Sequence, residues 1–313
     1  MPALRLMTYN VRYFAHGSRG VVSTQGGLAR IAQSIAALTP LADVVCLQEV
    51  EHRSLRSSLV TRGGKSQLDV FMRALEHELA ARAEGDRYEA HYFPAHSYRI
   101  ARGMNLYTTG LAILVRSRLE VVEHDAVHVH DITHRRGAKA LKQTRILAHV
   151  TVRSRDASGA AARGDELDVF NTHLSLPGPF YREFWTSDAR LGFGPNQLAE
   201  SERMLAAVRT ARRADRMVLV GDFNSLPGSP VDRHLCDEGG LVDALAENHG
   251  LCDLRRRAFA TAGFLHARMA LDRIYASPEL RWLDFDGSAP FDGSTFAGLS
   301  DHVPVLGRLT LGG

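Results

Sequence analysis

Asp222 and Asn224 stand two residues apart in the stretch GDFNSLPG, directly after the apolar run Met217 to Val220. Side chains alternate along a strand, so this spacing predicts that both point the same way from the end of a sheet. Asp, Asn, Gly and Pro are also common turn residues, which gives the same stretch a second reading. Other apolar runs close in a similar way. Asn10 ends the first, Glu49 follows Leu47, NTHL places Asn171 and His173 two apart, Asp272 lies in LDRIY, and Asp301 with His302 opens SDHVPV. Independent turns would not be expected to repeat so consistent a set of acids, amides and imidazoles.

Such a set suits attack of water on a phosphate ester. Hard oxygen donors such as Glu49, Asp301 and the Asn10 amide match Mg²⁺, which keeps several waters and binds phosphate oxygens. The cation would neutralise charge developing on phosphorus and on the leaving oxygen. Asp222 could accept a proton from the attacking water, and His302 or His173 could donate to the charge of the transition state. Taken singly, Asn10 also reads as a turn former, His173 as a surface or hydrogen-bonded core histidine, and Asp272 as a partner of Arg273. Their agreement in position favours a common site.

Many short strands and a few helices are needed to deliver these residues. Strands are predicted over Leu4 to Tyr9, Val44 to Leu47, Tyr88 to Phe93, Leu111 to Val115, Leu119 to Val122, Ile146 to Val152, Leu167 to Phe170 and Met217 to Val220. Three more follow, over Leu271 to Tyr275, Leu280 to Leu283 and Val303 to Leu309. Leu28, Ile31, Ala32, Ile35 and Leu38 keep helical spacing, as do Leu68, Phe71, Met72, Leu75 and Leu79. A third helix is expected around Leu198 to Val208, and Ser154 to Gly164 reads as a flexible hairpin loop. The pattern predicts an α/β sandwich of two packed sheets.

The chain has 313 residues, 45% of them hydrophobic, enough for a large core, and no break in composition divides it; one domain over 1–313 is expected. A formal net charge of +3 is too small to name nucleic acid as a partner. Three cysteines, Cys46, Cys236 and Cys252, form neither a disulfide framework nor a CxxC metal site and fit a reducing compartment. With no basic head before an apolar segment and no run of roughly 18 apolar residues, a soluble, cytoplasmic protein is expected.

The stretches TYNVR, CLQEV, GLAILVRS, NTHL, GDFNSLPGSP, LDRIY and SDHVPV, in this order, resemble the endonuclease/exonuclease/phosphatase superfamily, which includes deoxyribonuclease I and the sphingomyelinases. The resemblance implies a four-layer α/β sandwich of two mixed sheets flanked by helices, and a phosphoesterase dependent on Mg²⁺ or Mn²⁺. By position, Glu49 would be the main metal carboxylate with Asn10 and Asp301 near it, and Asp222 would align or deprotonate water. Asn224 would bind phosphate, His302 would be oriented by Asp272, and His302 and His173 would contact the scissile group. Abasic-site enzymes of the superfamily carry a different stretch where this chain has NTHL, which disfavours that role.

Substrate preference has to come from the rim. After His173, a loop carries Phe180, Tyr181, Phe184, Trp185 and Phe193, and the segment Val127 to Arg145 offers Arg136 among several basic residues. Aromatic and basic groups together could stack the bases of a single strand, settle into a lipid interface, or anchor the loop on the body. The expected activity is a nuclease-like phosphodiesterase, with Arg136, Asn171, Phe180, Tyr181 and Trp185 as substrate contacts. A phospholipid-directed esterase, a phosphomonoesterase and an inactive binding module are the alternatives.

Overall fold

The computed structural model describes residues 3–14, 25–51, 66–82, 85–101, 104–134, 144–155, 161–176, 191–264, 267–288 and 291–310. Its strands are β1 (Ala3–Asn10), β2 (Val44–Val50), β3 (Tyr88–Ala101), β4 (Met104–Arg116), β5 (Leu119–His124), β6 (His130–Asp131), β7 (Ile146–Arg155) and β8 (Ala161–His173). They continue as β9 (Met217–Asp222), β10 (Val242–Asp243), β11 (Ala262–Phe264), β12 (Ala267–Met269), β13 (Asp272–Ala276), β14 (Arg281–Ser288) and β15 (Val305–Thr310). The first sheet has the order β14-β15-β1-β2-β4-β3, and the second β10-β13-β9-β8-β7-β5 with β6 also on β7. Within them, β1 runs parallel to β2 and β8 parallel to β9, while their other neighbours are antiparallel.

Alternation along these strands builds the layers. Leu4 and Leu6 of β1, Val44 and Cys46 of β2, Val169 of β8 and Val218 and Val220 of β9 meet in one buried cluster between the sheets. The intervening Met7, Tyr9, Val45 and Leu47 turn outward onto two helices, α1 (Gln25–Ala36) and α2 (Gln67–Ala80), through Ile31, Ile35, Phe71 and Leu75. On the far side Phe170, Met217 and Leu219 pack under α3 (Pro195–Ala211) and α4 (Pro230–Asp237), through Met204, Leu205, Val231 and Leu235. The result is a four-layer α/β sandwich. No described helix is long and apolar enough to cross a membrane.

Local signals set the helix starts. Ser66 accepts from the Asp69 N–H and Asp69 accepts from the Ser66 N–H, both at 3.0 Å, a reciprocal cap that begins α2. Ser229 caps α4 ahead of Pro230, a helix not expected from apolar spacing.

Several bounds differ from the expectation. The hairpin β3–β4 is longer than its apolar stretches, because polar residues such as Ser97, Arg99 and Asn105 also enter the ladder. In the segment expected as a flexible loop, the described residues 154–155 and 161–164 are strand, since β7 reaches Arg155 and Arg155 pairs with Ala161 of β8. Small and polar residues hide a strand from apolar patterning while backbone pairing still forms it.

Candidate active site

The described candidates gather at one end of the sandwich. The carboxyl ends of the parallel pairs β1–β2 and β8–β9 meet there, the usual position for ligands in α/β sheets. Asn10 ends β1, His173 ends β8 and Asp222 ends β9. Asp272 opens antiparallel β13 opposite Asp222, and Asp301 and His302 stand just before antiparallel β15. Residues from distant parts of the chain therefore share one cleft.

Two backbone features aim the acids. By alternation Glu49 would join Val45 and Leu47 against the helices. Instead it adopts a φ of 55°, within the register shift between Leu47 and Val50, and its Oε1 accepts from Asn10 Nδ2 at 3.3 Å. Gly221, with a φ of 144°, lies so close to β8 that a Cβ there would stand 2.0 Å from the Thr172 carbonyl oxygen. The missing side chain lets the two strands approach, and His173 Nε2 comes within 3.5 Å of Asp222 Oδ2.

A hydrogen-bond web joins the rest. Asn10 Nδ2 also donates to Asp222 Oδ2 at 3.1 Å, and His302 pairs with Asp272 through Nδ1 and Oδ2 at 2.7 Å. His302 Nε2 faces Asp222 Oδ2 at 3.8 Å, and His173 Nε2 faces Glu49 Oε1 at 3.9 Å. Arg12 forms an ion pair with Asp301. Arg273 points away from its neighbour Asp272 and pairs with Asp232, as alternation requires.

Two expected residues sit differently. Strand β9 stops at Asp222, and Asn224 adopts a left-handed φ of 47° with its backbone N–H on Asp222 Oδ1 at 3.0 Å. The stretch is thus a strand end followed by a local turn, so Asp222 and Asn224 do not project in parallel. Asn224 Nδ2 donates to the Leu174 carbonyl at 2.9 Å. Asn171, expected at the substrate, is fully buried between the sheets, donating to the Leu47 and Ala112 carbonyls and accepting from Gln48 Nε2 at 2.7 Å. It shares a strand face with His173 but lies one step deeper, where its amide ties the two sheets together. Arg136, Phe180, Tyr181 and Trp185 lie outside the described residues.

Burial and neighbouring charge set the protonation of the cleft. Burial, then the Asp272 charge, pushes the Asp222 carboxyl up to about 7, against the pull of His302, the Asn224 N–H and Asn10. Burial alone would lower His302, but the charge and hydrogen bond of Asp272, with Asp222 and Asp301, raise it to about 10. Burial, Arg145 and His302 push His173 well down, so it is the neutral imidazole of the pair. Burial also raises Glu49, and the Asp301 charge adds to that rise. Asp222 and His302, both raised, face each other across 3.8 Å.

A family model described as the endonuclease/exonuclease/phosphatase family matches residues 7–302. The chain belongs to that family. A family protein from Beutenbergia cavernae is 21% identical, with a TM-score of 0.64, covering 100% of this chain and 72% of its own. The human Nocturnin catalytic domain with bound sulfate anion is 19% identical, with a TM-score of 0.62 over 99% of this chain and 95% of that one. A family protein from Leptotrichia buccalis gives 16% identity and a TM-score of 0.64 over 98% and 99%. No curated protein matches the sequence. Members of this family are generally hydrolases of phosphoesters and typically depend on a divalent metal.

The donor set can be tested against such an ion. Glu49 is a half-buried carboxylate whose ion-pair partner among the described residues is His173 at 3.9 Å, a neutral imidazole, a condition that a hard cation would relieve. Asp301 is at present met by the Arg12 guanidinium, which occupies the place of a cation. Asn10 presents its Nδ2 to the acids and its Oδ1 to the Arg12 N–H at 3.0 Å, so it would have to turn its amide to become a ligand. Asp222, Asp272 and His302 also bring ligand atoms within 4.8 Å of one another. The 2.7 Å hydrogen bond between Asp272 and His302 would be broken by a metal there, so these three fit a proton-handling triad better. Glu49 with Asp301 fits the family's cation.

Three further polar side chains border the cleft or brace it. Arg145, seen in the sequence only within a basic segment, lies beside His173 at the foot of the cleft, and its Nε donates to Ser175 Oγ at 3.3 Å. Gln197 of α3 donates to the Ser175 and Asn224 carbonyls at 2.8 and 2.6 Å, while Glu200 accepts from Ser175 Oγ at 2.8 Å. These two polar residues, on a buried helix face, clamp the turns after His173 and Asp222. A buried Gln and Glu one helical turn apart are the sequence signal that could have found them.

Proposed function

We propose that this chain, as one domain over 1–313, hydrolyses a phosphodiester with the aid of Mg²⁺ or Mn²⁺, with nucleic acid as the favoured substrate class. The observation that carries the reading is the facing pair Asp222 and His302, one pushed up to about 7 and the other up to about 10. At intermediate pH the first is a base near its working range and the second a charged donor. Glu49 and Asp301, with Asn10 after its amide turns, would hold the ion, which when bound supplies a positive charge next to the phosphate oxygens. Asp222 takes a proton from the attacking water. His302, steadied by Asp272, donates from Nε2 to a phosphoryl oxygen, and neutral His173 donates a second hydrogen bond. Arg145 adds positive charge at the foot of the cleft. Sulfate bound to the Nocturnin catalytic domain supports a tetrahedral anion as ligand of this fold.

Turnover should be tested with Mg²⁺, Mn²⁺ and chelator on single- and double-stranded DNA, RNA, sphingomyelin vesicles, inositol phosphates and a bis-aryl phosphodiester. The expected outcome is metal-dependent cleavage of diesters, fastest on an oligonucleotide. Cleavage of monoesters alone, or activity that survives chelation, would overturn the assignment. Exposed Leu176 and Phe193, on either side of the segment after β8, favour a lipid-directed esterase as the second reading. Turnover confined to vesicles would select it.

A further inference from the structure

Four strands turn their inner faces to each other below the cleft, two from each sheet. In the first sheet that face runs Leu4, Leu6, Thr8 and Asn10 along β1, and Val44, Cys46 and Gln48 along β2, where Gln48 directly precedes Glu49. In the second it runs Val169, Asn171 and His173 along β8, and Val218, Val220 and Asp222 along β9. On three of these four strands the apolar core gives way to a polar residue one inward step beneath the cleft. Thr8, Gln48 and Asn171 are all fully buried.

The three side chains hold one another across the gap. Asn171 Nδ2 donates to the Leu47 and Ala112 carbonyls of the first sheet at 3.1 and 3.3 Å. With that nitrogen committed, Oδ1 is the end that faces Gln48, and it accepts from Gln48 Nε2 at 2.7 Å. The same nitrogen of Gln48 donates to Thr8 Oγ1 at 2.9 Å and to the Cys46 carbonyl at 3.3 Å. Each amide therefore has one workable orientation, fixed in turn from backbone carbonyls of β2 and β4 through Asn171 to Gln48 and Thr8.

We propose that Thr8, Gln48 and Asn171 are positioning residues, a spacer that sets how far the first sheet's share of the cleft stands from the second's. The inference rests on the hydrolytic reading given above, because that reading divides the chemistry between the sheets. Asn10, Glu49 and Asp301, from β1, β2 and the segment before β15, would hold the ion, while Asp222 at the end of β9 takes the proton from water. The two sets meet at Asn10 Nδ2 and Asp222 Oδ2, 3.1 Å apart, and at Glu49 Oε1 and His173 Nε2, 3.9 Å apart. A misplacement of about 1 Å can cost roughly 10²-fold in rate. Apolar packing holds sheets together, but a hydrogen bond weakens steeply outside a narrow range of distance and angle, so a buried amide pair sets the gap more closely.

The test separates spacing from stability. Gln48→Met keeps the length of the side chain and removes the donor. It should lower kcat by about 10- to 100-fold with KM unchanged, the range usual for outer partners of functional groups. Its melting temperature should fall as well, because Asn171 Oδ1 loses its partner. Adding Asn171→Leu replaces both partners by apolar shapes, which should restore most of the melting temperature and leave kcat low. A tie that only stabilises the fold would regain turnover together with melting temperature, and that result would overturn the proposal. So would an effect confined to KM. Thr8→Val, close in shape, covers the case in which these variants do not fold: it should lower kcat by a smaller factor, and wild-type kcat in it would count against the spacer. Crystal structures of wild type and variant should show the contact between Asn10 and Asp222 lengthened, and an unchanged contact would overturn the proposal. That comparison needs no substrate, so it decides the spacer even if the substrate panel rejects the hydrolytic reading.

Discussion

Two knots of buried charge lie on either side of Asp272, and they are built on opposite plans. In the network beneath the GDFN turn, Asp232 and Asp243 face Arg256 and Arg273, with Tyr275 donating to Asp232. Burial there would raise Asp232, yet the two guanidiniums hold its carboxyl below the usual range. In the cleft, acids face acids. Asp272 adds to the rise of Asp222, and Asp301 to that of Glu49. One fold thus pairs buried charge where the role is structural and leaves acids facing acids where the proposed ion would sit.

The sharpest break would come from comparing one acid of each knot. Asp222→Asn should lower kcat by about 10²–10⁴-fold, the usual worth of a positioned base, with no loss of melting temperature. Asp232→Ala should instead cost roughly 3–5 kcal/mol in urea unfolding, because it strands Arg256 and Arg273 without their shared partner. Equal stability losses in the two variants would abolish the distinction.

Metal should act on one knot alone. Saturating wild type with Mn²⁺ should stabilise it, by about 2.7 kcal/mol at a hundredfold excess over Kd, and Glu49→Gln should remove that gain. Arg12→Gln, which frees Asp301, should tighten Mn²⁺ binding in calorimetry. Weaker binding in that variant would show that the guanidinium supports the site instead of competing for it.

The smallest effect is on pH dependence in the metal-free protein. The Asp222 carboxyl is raised from an ordinary 3.8 to about 7, so its contribution to stability is present below 3.8 and is lost as pH rises to about 7. Asp232 is lowered and has the opposite sign: its contribution is present above the ordinary range and lost as pH falls through the depressed value. Melting temperatures of Asp222→Asn should therefore fall less than those of wild type between pH 4 and about 7. A parallel fall in both would remove Asp222 as the cause.

Most strands and their apolar faces were legible, because alternation and burial leave a direct mark on sequence. So was the gathering of Asn10, Glu49, Asp222, Asp272 and His302 at strand ends, since each follows or precedes an apolar run. What alternation could not give was aim. It places Glu49 against the helices until a φ of 55° turns it round, and it carries Asn224 past a strand that has already ended. Asn171 reads like its neighbour His173, yet one step along a strand separates a tie between sheets from a cleft residue. The Asp232–Arg256–Arg273 network was not legible because its partners come from separate elements, and charge alone does not say which acid meets which base.

The left-handed backbone at Glu49 and Asn224 has a consequence for how this protein would respond to selection. Residues other than glycine held there cost roughly 1–2 kcal/mol each, less for asparagine. Glycine at either position would relieve that cost and delete the carboxylate or the amide. A laboratory lineage screened only for survival on heating should therefore accumulate glycine at these two positions and drift into a heat-resistant, inert protein. Screening for turnover in alternate rounds would hold both side chains in place and push the gains in stability elsewhere, to surfaces distant from the cleft.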